Sequence, residues 1–170
     1  MIKVDIGKCT GCRMCETACS FYHSGAVNRH MSRIKVINLY SSGIDGPVLC
    51  RQCKEKYCID CPNNALSIGS LGQVIASPTL CNLCKKCEKN CPIGAIEIFD
   101  DIVYVCDLCG GSPKCAAACT EGALSYIPED KERISLSVLK NKTKKLNTIE
   151  RRAFYIDKAG KGVRIKWRSA

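Results

Sequence analysis

Residues 9 to 19 read CTGCRMCETAC, which crowds Cys9, Cys12, Cys15 and Cys19 onto one short stretch. Three more groups follow: Cys50, Cys53, Cys58 and Cys61; Cys81, Cys84, Cys87 and Cys91; and Cys106, Cys109, Cys115 and Cys119. Thiolates at this density are soft ligands suited to zinc or to iron–sulfur chemistry. In C-x2-C-x2-C the thiols wrap three corners of one compact object, and a fourth cysteine three residues on faces away, free to ligate a second; this is the run of bacterial two-cluster ferredoxins. Groups one and three match it, and Pro92 follows the third. Zinc asks for two C-x2-C knuckles from separate loops and has no use for a third cysteine at the same spacing. Group two, C-x2-C-x4-C-x2-C, can be written as a zinc site on its own. Disulfides within such triplets would close strained short loops. At four ligands per cubane, the 16 cysteines supply four [4Fe-4S] clusters with no remainder.

The rest of the composition agrees. With six tyrosines, three phenylalanines and one tryptophan in 170 residues, large side chains cannot fill an ordinary core. The opening MIKVDIGKC is not a signal peptide, and no run is apolar and long enough to span a membrane. A reducing, cytoplasmic setting is expected, where thiols bind metal, although a folded subunit can also be exported on a partner's signal. The net charge of +10 is unevenly placed: residues 131–170 hold 13 of the 26 Lys and Arg against Glu132, Glu150 and Asp157, while residues 1–130 balance. Each oxidised cubane with its thiolates adds about −2, so the body becomes anionic beneath a basic tail. Phosphate would then be repelled by the body, and the tail offers only Phe154, Tyr155 and Trp167 for stacking, so no nucleic-acid partner is expected.

The elements that must hold these groups are short. CPNNALSI at 61, CPIGAIEI at 91 and CTEGALSY at 119 form an internal repeat. β-Branched runs at Ile2 to Asp5, Ile34 to Ile37, Val74 to Ser77, Ile96 to Phe99 and Ile102 to Val105, with turn residues at GSLGQ and FDD, predict small hairpins beside the groups. A turn or two of helix after the third cysteine of a group is the most helix the spacing allows. The fold class expected is α+β with little regular structure. From about residue 129 the cysteines end, and two alternating segments around KAGKG predict a basic hairpin, a solvated face or a docking arm.

The stretches CTGCRMCETACS, CRQCKEKYCIDCP, CNLCKKCEKNCP and CDLCGGSPKCAAAC resemble, in order and spacing, the four-cluster polyferredoxin subunits of molybdenum and tungsten oxidoreductases. That set includes the iron–sulfur subunits of formate dehydrogenases, dimethyl sulfoxide reductases and aldehyde oxidoreductases, with related hydrogenase and carbon monoxide dehydrogenase partners. CRMCETACSFYHSG, SRIKV at 32 to 36 and CDLCGGSPKC look most like the compact subunits of tungsten aldehyde oxidoreductases. The resemblance covers residues 1–128 and implies two interlocked ferredoxin-like halves, one from 1–49 and 100–128, the other from 50–99, with 129–170 as a docking tail. It implies four clusters: Cys9, Cys12, Cys15 with Cys119; Cys106, Cys109, Cys115 with Cys19; Cys50, Cys53, Cys58 with Cys91; and Cys81, Cys84, Cys87 with Cys61. Spacing alone would equally let groups three and four pair. The chain departs from the family at the last interval of group two, one residue short, and at Ser20 and Thr120, which replace proline after groups one and four.

The function implied is electron transfer without substrate chemistry, between a large catalytic molybdenum or tungsten subunit and a further electron-carrier or flavin subunit. Every cysteine is committed, and the only histidines are His23 and His30. His23, close behind the first group, could donate to a cluster sulfur, or simply pack. A free-standing shuttle is the competing role, and the 40-residue tail speaks for a stable subunit instead.

Overall fold

The computed structural model describes residues 1–128 and 133–163. Among the described residues eight short strands and five α-helices follow one another: β1 (Ile2–Val4), α1 (Met14–Ser24), β2 (Ile34–Leu39), β3 (Ile44–Leu49), β4 (Leu66–Ile68), β5 (Val74–Ala76), α2 (Lys86–Asn90), β6 (Glu97–Phe99), β7 (Ile102–Tyr104), α3 (Lys114–Ala117), β8 (Leu124–Tyr126), α4 (Ser137–Lys142) and α5 (Thr148–Ala159). This is a small α+β architecture of short hairpins. The strands form four antiparallel pairs, β1–β8, β2–β3, β4–β5 and β6–β7. The tightest loop, between β6 and β7, takes positive φ at both Asp100 (48°) and Asp101 (57°), the twist that a two-residue hairpin needs.

The first strand pairs across the whole body. Ile2 faces Tyr126 and Val4 faces Leu124, while the Met1 ammonium donates to the Ile127 carbonyl and the Asp5 amide to Ala123 at 2.9 Å. The chain start is thereby stitched to the segment that leaves the fourth cysteine group.

The β2–β3 hairpin is apolar on both faces. Because successive residues of a strand point to opposite sides, Ile34, Val36 and Leu49 enter one buried cluster while Ile44 and Val48 enter another. The first of these clusters also contains Cys15, Cys19, Cys106, Cys115 and Leu124. The second contains Cys58, Cys87, Cys91, Ile93 and Ile96. One hairpin is therefore a shared wall between two cores, each of which is substantially sulfur.

The tail corrects the sequence expectation. The first arm of the expected hairpin, with Phe154 and Tyr155, lies in α5, and the second arm, with Trp167, lies outside the described residues. The reason is local: Asn147 accepts from the Glu150 amide while the Glu150 carboxylate accepts from Asn147, a capping box that starts a helix. Nor is the described part of the tail a free arm. Ile156 is fully buried, and α5 rests on Gly46, where a Cβ would come within 2.7 Å of Ile156 Cδ1. Helix α1, at 11 residues, also exceeds the one or two turns expected; Gly25, at φ 70°, ends it by donating to Phe21 at 2.8 Å.

Candidate metal centres

The four cysteine groups share one backbone device. The residue before the second cysteine of each group is left-handed: Gly11 (φ 70°), Gln52 (47°), Leu83 (60°) and Leu108 (63°). Side-chain-bearing residues resist that conformation by about 1–2 kcal/mol, and such strain persists where the surroundings demand it. Here it turns an amide back onto the first thiol: Gly11 donates to Cys9, Gln52 to Cys50 and Leu108 to Cys106. Further amides reach sulfur from Arg33 to Cys19 at 3.3 Å and from Ala95 to Cys91 at 3.2 Å. A second repeat follows the last cysteine. Asn64, Gly94 and Gly122 are all left-handed and donate back to Cys61, Cys91 and Cys119 at 3.1, 3.4 and 3.2 Å, turning the chain into β4, β6 and β8.

These loops bring thiols of different groups together. Cys9, Cys12, Cys15 and Cys119 line one cavity, and Cys61, Cys81, Cys84 and Cys87 line another. The other eight thiols bear on one another electrostatically. Burial, followed by the charges of Cys50, Cys91 and Cys53, pushes the Cys58 thiol far up; burial, followed by Cys19, Cys109 and Cys15, pushes Cys115 up to about 12. Cys106 is raised by burial and then by Cys50, Cys115 and Cys19. The shortened interval of group two is taken up by a 3₁₀ turn at Tyr57–Ile59, and Cys61 still reaches the thiols of group three.

The donor chemistry fits iron–sulfur clusters. Thiols packed this closely resist ionising: burial pushes Cys15 and Cys50 up to about 12 and Cys87 to about 11. A coordinating cation reverses this and takes the thiol as thiolate. Amide donors already aimed at sulfur supply the hydrogen bonds that tune such ligands.

Charged side chains surround the thiols, and the sequence did not disclose most of them. Glu16, 1% exposed beside Cys15, accepts from Arg29 Nε at 2.8 Å and Arg13 Nη1 at 3.3 Å. Arg33 pairs with Asp107, the neighbour of Cys106. Arg151 and Arg152, each 6% exposed, donate to backbone carbonyls around Cys91 and Gly94. His23 sits where its position in the sequence suggested: its Nε2 is 3.6 Å from Cys109 Sγ and from Asp107 Oδ1. Burial and Arg33 lower its pKa against the pull of Asp107. The buried arginines carried one sequence signal, the Asn147 to Glu150 cap that starts their helix.

Cysteine loops that share sulfur-directed amides across two sulfur-rich cores define an iron–sulfur protein of the ferredoxin kind. The 4Fe-4S binding domain family matches residues 1–26. The polyferredoxin-like subunit of an aliphatic sulfonate oxidoreductase of Pyrococcus furiosus is 37% identical over 160 residues, covering 90% of this chain and 92% of that protein. The electron transport protein HydN of Escherichia coli is 33% identical, over 76% of this chain and 89% of its own length. Subunit beta of an NADH-dependent phenylglyoxylate dehydrogenase of Aromatoleum evansii is 34% identical over 74% of this chain, which spans 30% of that longer protein. The chain belongs to the polyferredoxin-like iron–sulfur electron-transfer subunits of oxidoreductases.

Proposed function

We propose that this chain relays single electrons between a catalytic subunit and an external redox partner through four [4Fe-4S] clusters. The ligand sets are Cys9, Cys12, Cys15 and Cys119; Cys19, Cys106, Cys109 and Cys115; Cys50, Cys53, Cys58 and Cys91; and Cys61, Cys81, Cys84 and Cys87. Bound clusters supply one-electron chemistry, each taking up and releasing one electron. The observation that carries this reading is the mixing of thiols from groups one and four, and from groups two and three, in two cavities and two buried cores. The same mixing supports two interlocked ferredoxin-like halves, 1–49 with 100–128 and 50–99.

The chain's own residues set the order of the relay. Cys15 bears on Cys115, bringing the first set to the second. Cys50 bears on Cys106, bringing the second to the third, and the short Cys58 to Cys61 and Cys87 to Cys91 links join the third to the fourth. Cys12 and Cys84 are the two exposed cysteines, and they belong to the first and fourth sets. Electrons therefore enter and leave at those two ends, while the middle sets stay covered.

The partner we favour is a tungsten or molybdenum subunit of the aldehyde oxidoreductase type, supported by CRMCETACSFYHSG, SRIKV and CDLCGGSPKC and by the near full-length match to an oxidoreductase's polyferredoxin-like subunit. The setting is the reducing cytoplasm; no helix among the described residues is long and apolar enough to cross a membrane. Iron and acid-labile sulfide analysis of the purified chain tests the cofactor: about 16 iron atoms per chain are expected, and about 12 with zinc present would show one group to be a zinc site. Co-purification tests the role. A large molybdenum or tungsten subunit is expected, and a chain isolated alone that acts as a diffusible donor would overturn the subunit reading.

A further inference from the structure

Two cations of the described part of the basic tail, Lys140 and Arg151, reach the backbone around Cys91. Arg151 Nη1 donates to the carbonyls of Cys91 (3.2 Å), Glu88 (3.0 Å) and Lys89 (2.6 Å), and its Nε to Thr143 at 3.1 Å. Lys140 Nζ donates to the Asn90 carbonyl at 2.8 Å, next to Cys91, and also lies 5.2 Å from the centre of the Tyr57 ring, next to Cys58. On the other side of the set, Lys56 donates to Gly72 at 3.0 Å within electrostatic reach of Cys50, Cys53 and Cys58. Of the nearby acids, Glu55 is exposed, accepts from Ser135 and the Leu136 amide, and bears on Cys53, while one oxygen of Glu88 accepts from Thr148 at 2.6 Å and its other oxygen is buried and unpartnered. Acidic charge bears likewise on the first set, from Asp45 on Cys9 and from Glu16 on Cys15.

Reduction adds a negative charge to a site whose ligands are already anionic, so a buried cation within a few ångströms favours the reduced form. We propose that the C-terminal segment is an electrostatic cover, in which Lys140 and Arg151 raise the reduction potential of the cluster held by Cys50, Cys53, Cys58 and Cys91. This rests on the four-cluster reading above. It gives the tail a task that a docking arm would not have, setting the potential of a cluster inside its own chain.

A purely structural role, capping the end of α2, would leave the potentials unmoved. The test is a mediated redox titration of the full chain followed by electron paramagnetic resonance, in which each cluster takes one electron from dithionite. Lys140→Gln and Arg151→Gln are each expected to lower one midpoint, reducing that equilibrium constant about tenfold, or about 59 mV for one electron. Arg151→Lys is expected to keep it, and Cys58→Ser is expected to alter the same step. Should Arg151→Gln fail to fold, the half-buried Lys140 carries the test. Unchanged midpoints in Lys140→Gln, or a shift confined to a step that Cys58→Ser leaves alone, would overturn the proposal. Failure of the underlying reading is separately visible, as an iron content far from 16 or fewer than four steps in the unsubstituted chain.

Discussion

The Gln52 side-chain amide donates to the carbonyl of Cys106 at 3.1 Å, latching the loop that begins at Cys50 to the loop that begins at Cys106. Both residues are buried, and Cys50 packs against both sulfur-rich cores. The bond therefore ties the two sulfur-rich cores together. Gln52→Met keeps the volume but leaves a buried carbonyl without a donor, which costs about 1–3 kcal/mol. The expected outcome is that loss, read from the bleaching of the cluster absorbance in denaturant, with iron content unchanged in the folded protein.

Gly94 and Gly122 occupy equivalent turns with the same φ of +64° but different surroundings. A Cβ on Gly94 would meet the Thr148 carbonyl oxygen at 2.5 Å, at the start of α5, whereas a Cβ on Gly122 meets nothing within 4 Å. Gly122→Ala should cost only the left-handed strain, about 1–2 kcal/mol. Gly94→Ala should cost about 1–3 kcal/mol more, because α5 must shift. Paired unfolding curves check the difference; equal losses would mean that α5 does not depend on this contact.

The thiol chemistry was legible because ligand spacing is a local property, and so were the strands around Val74 and Ile102, whose alternation and turn residues lie side by side. What escaped was non-local or contrary to pattern. β8 pairs with β1 across the whole body, and β3 carries Gly46 and Pro47, which hide a strand. Helix α5 buries Arg151 and Arg152, so its inward face reads as solvent-facing to any rule that seeks apolar residues inside. The left-handed Gln52 and Leu108 carry no local sign, since the sulfur they serve, and not their own preference, sets their conformation.

His23 tests the tuning of the second thiol set. Its ring nitrogen lies 3.6 Å from Cys109 Sγ, and in the tautomer protonated there it donates to that sulfur; hydrogen bonds to ligand sulfur raise the potential. His23→Leu keeps the packing against Tyr22 but removes the donor. A lower midpoint for one cluster is expected in the same titration, with the other three in place. A midpoint that stays put would make His23 a packing residue.

Cluster removal should unfold the chain. Seven of the sixteen cysteines are at most 8% exposed, and the same seven are full members of the two apolar cores, while the strands are three to six residues long. Isolated pairs of such strands are marginal in water. Buried thiols such as Cys15, Cys58, Cys106 and Cys115 are held high by burial, so the metal-free form must keep protonated sulfur where bonds to iron belong, and ligand binding is then a large share of the folding free energy. Oxidative extraction of iron under chelator should abolish the cooperative melt and the dispersed amide spectrum together. Anaerobic reconstitution with iron and sulfide should restore both, and a metal-free chain that kept a sharp melt would show that the side-chain cores suffice alone.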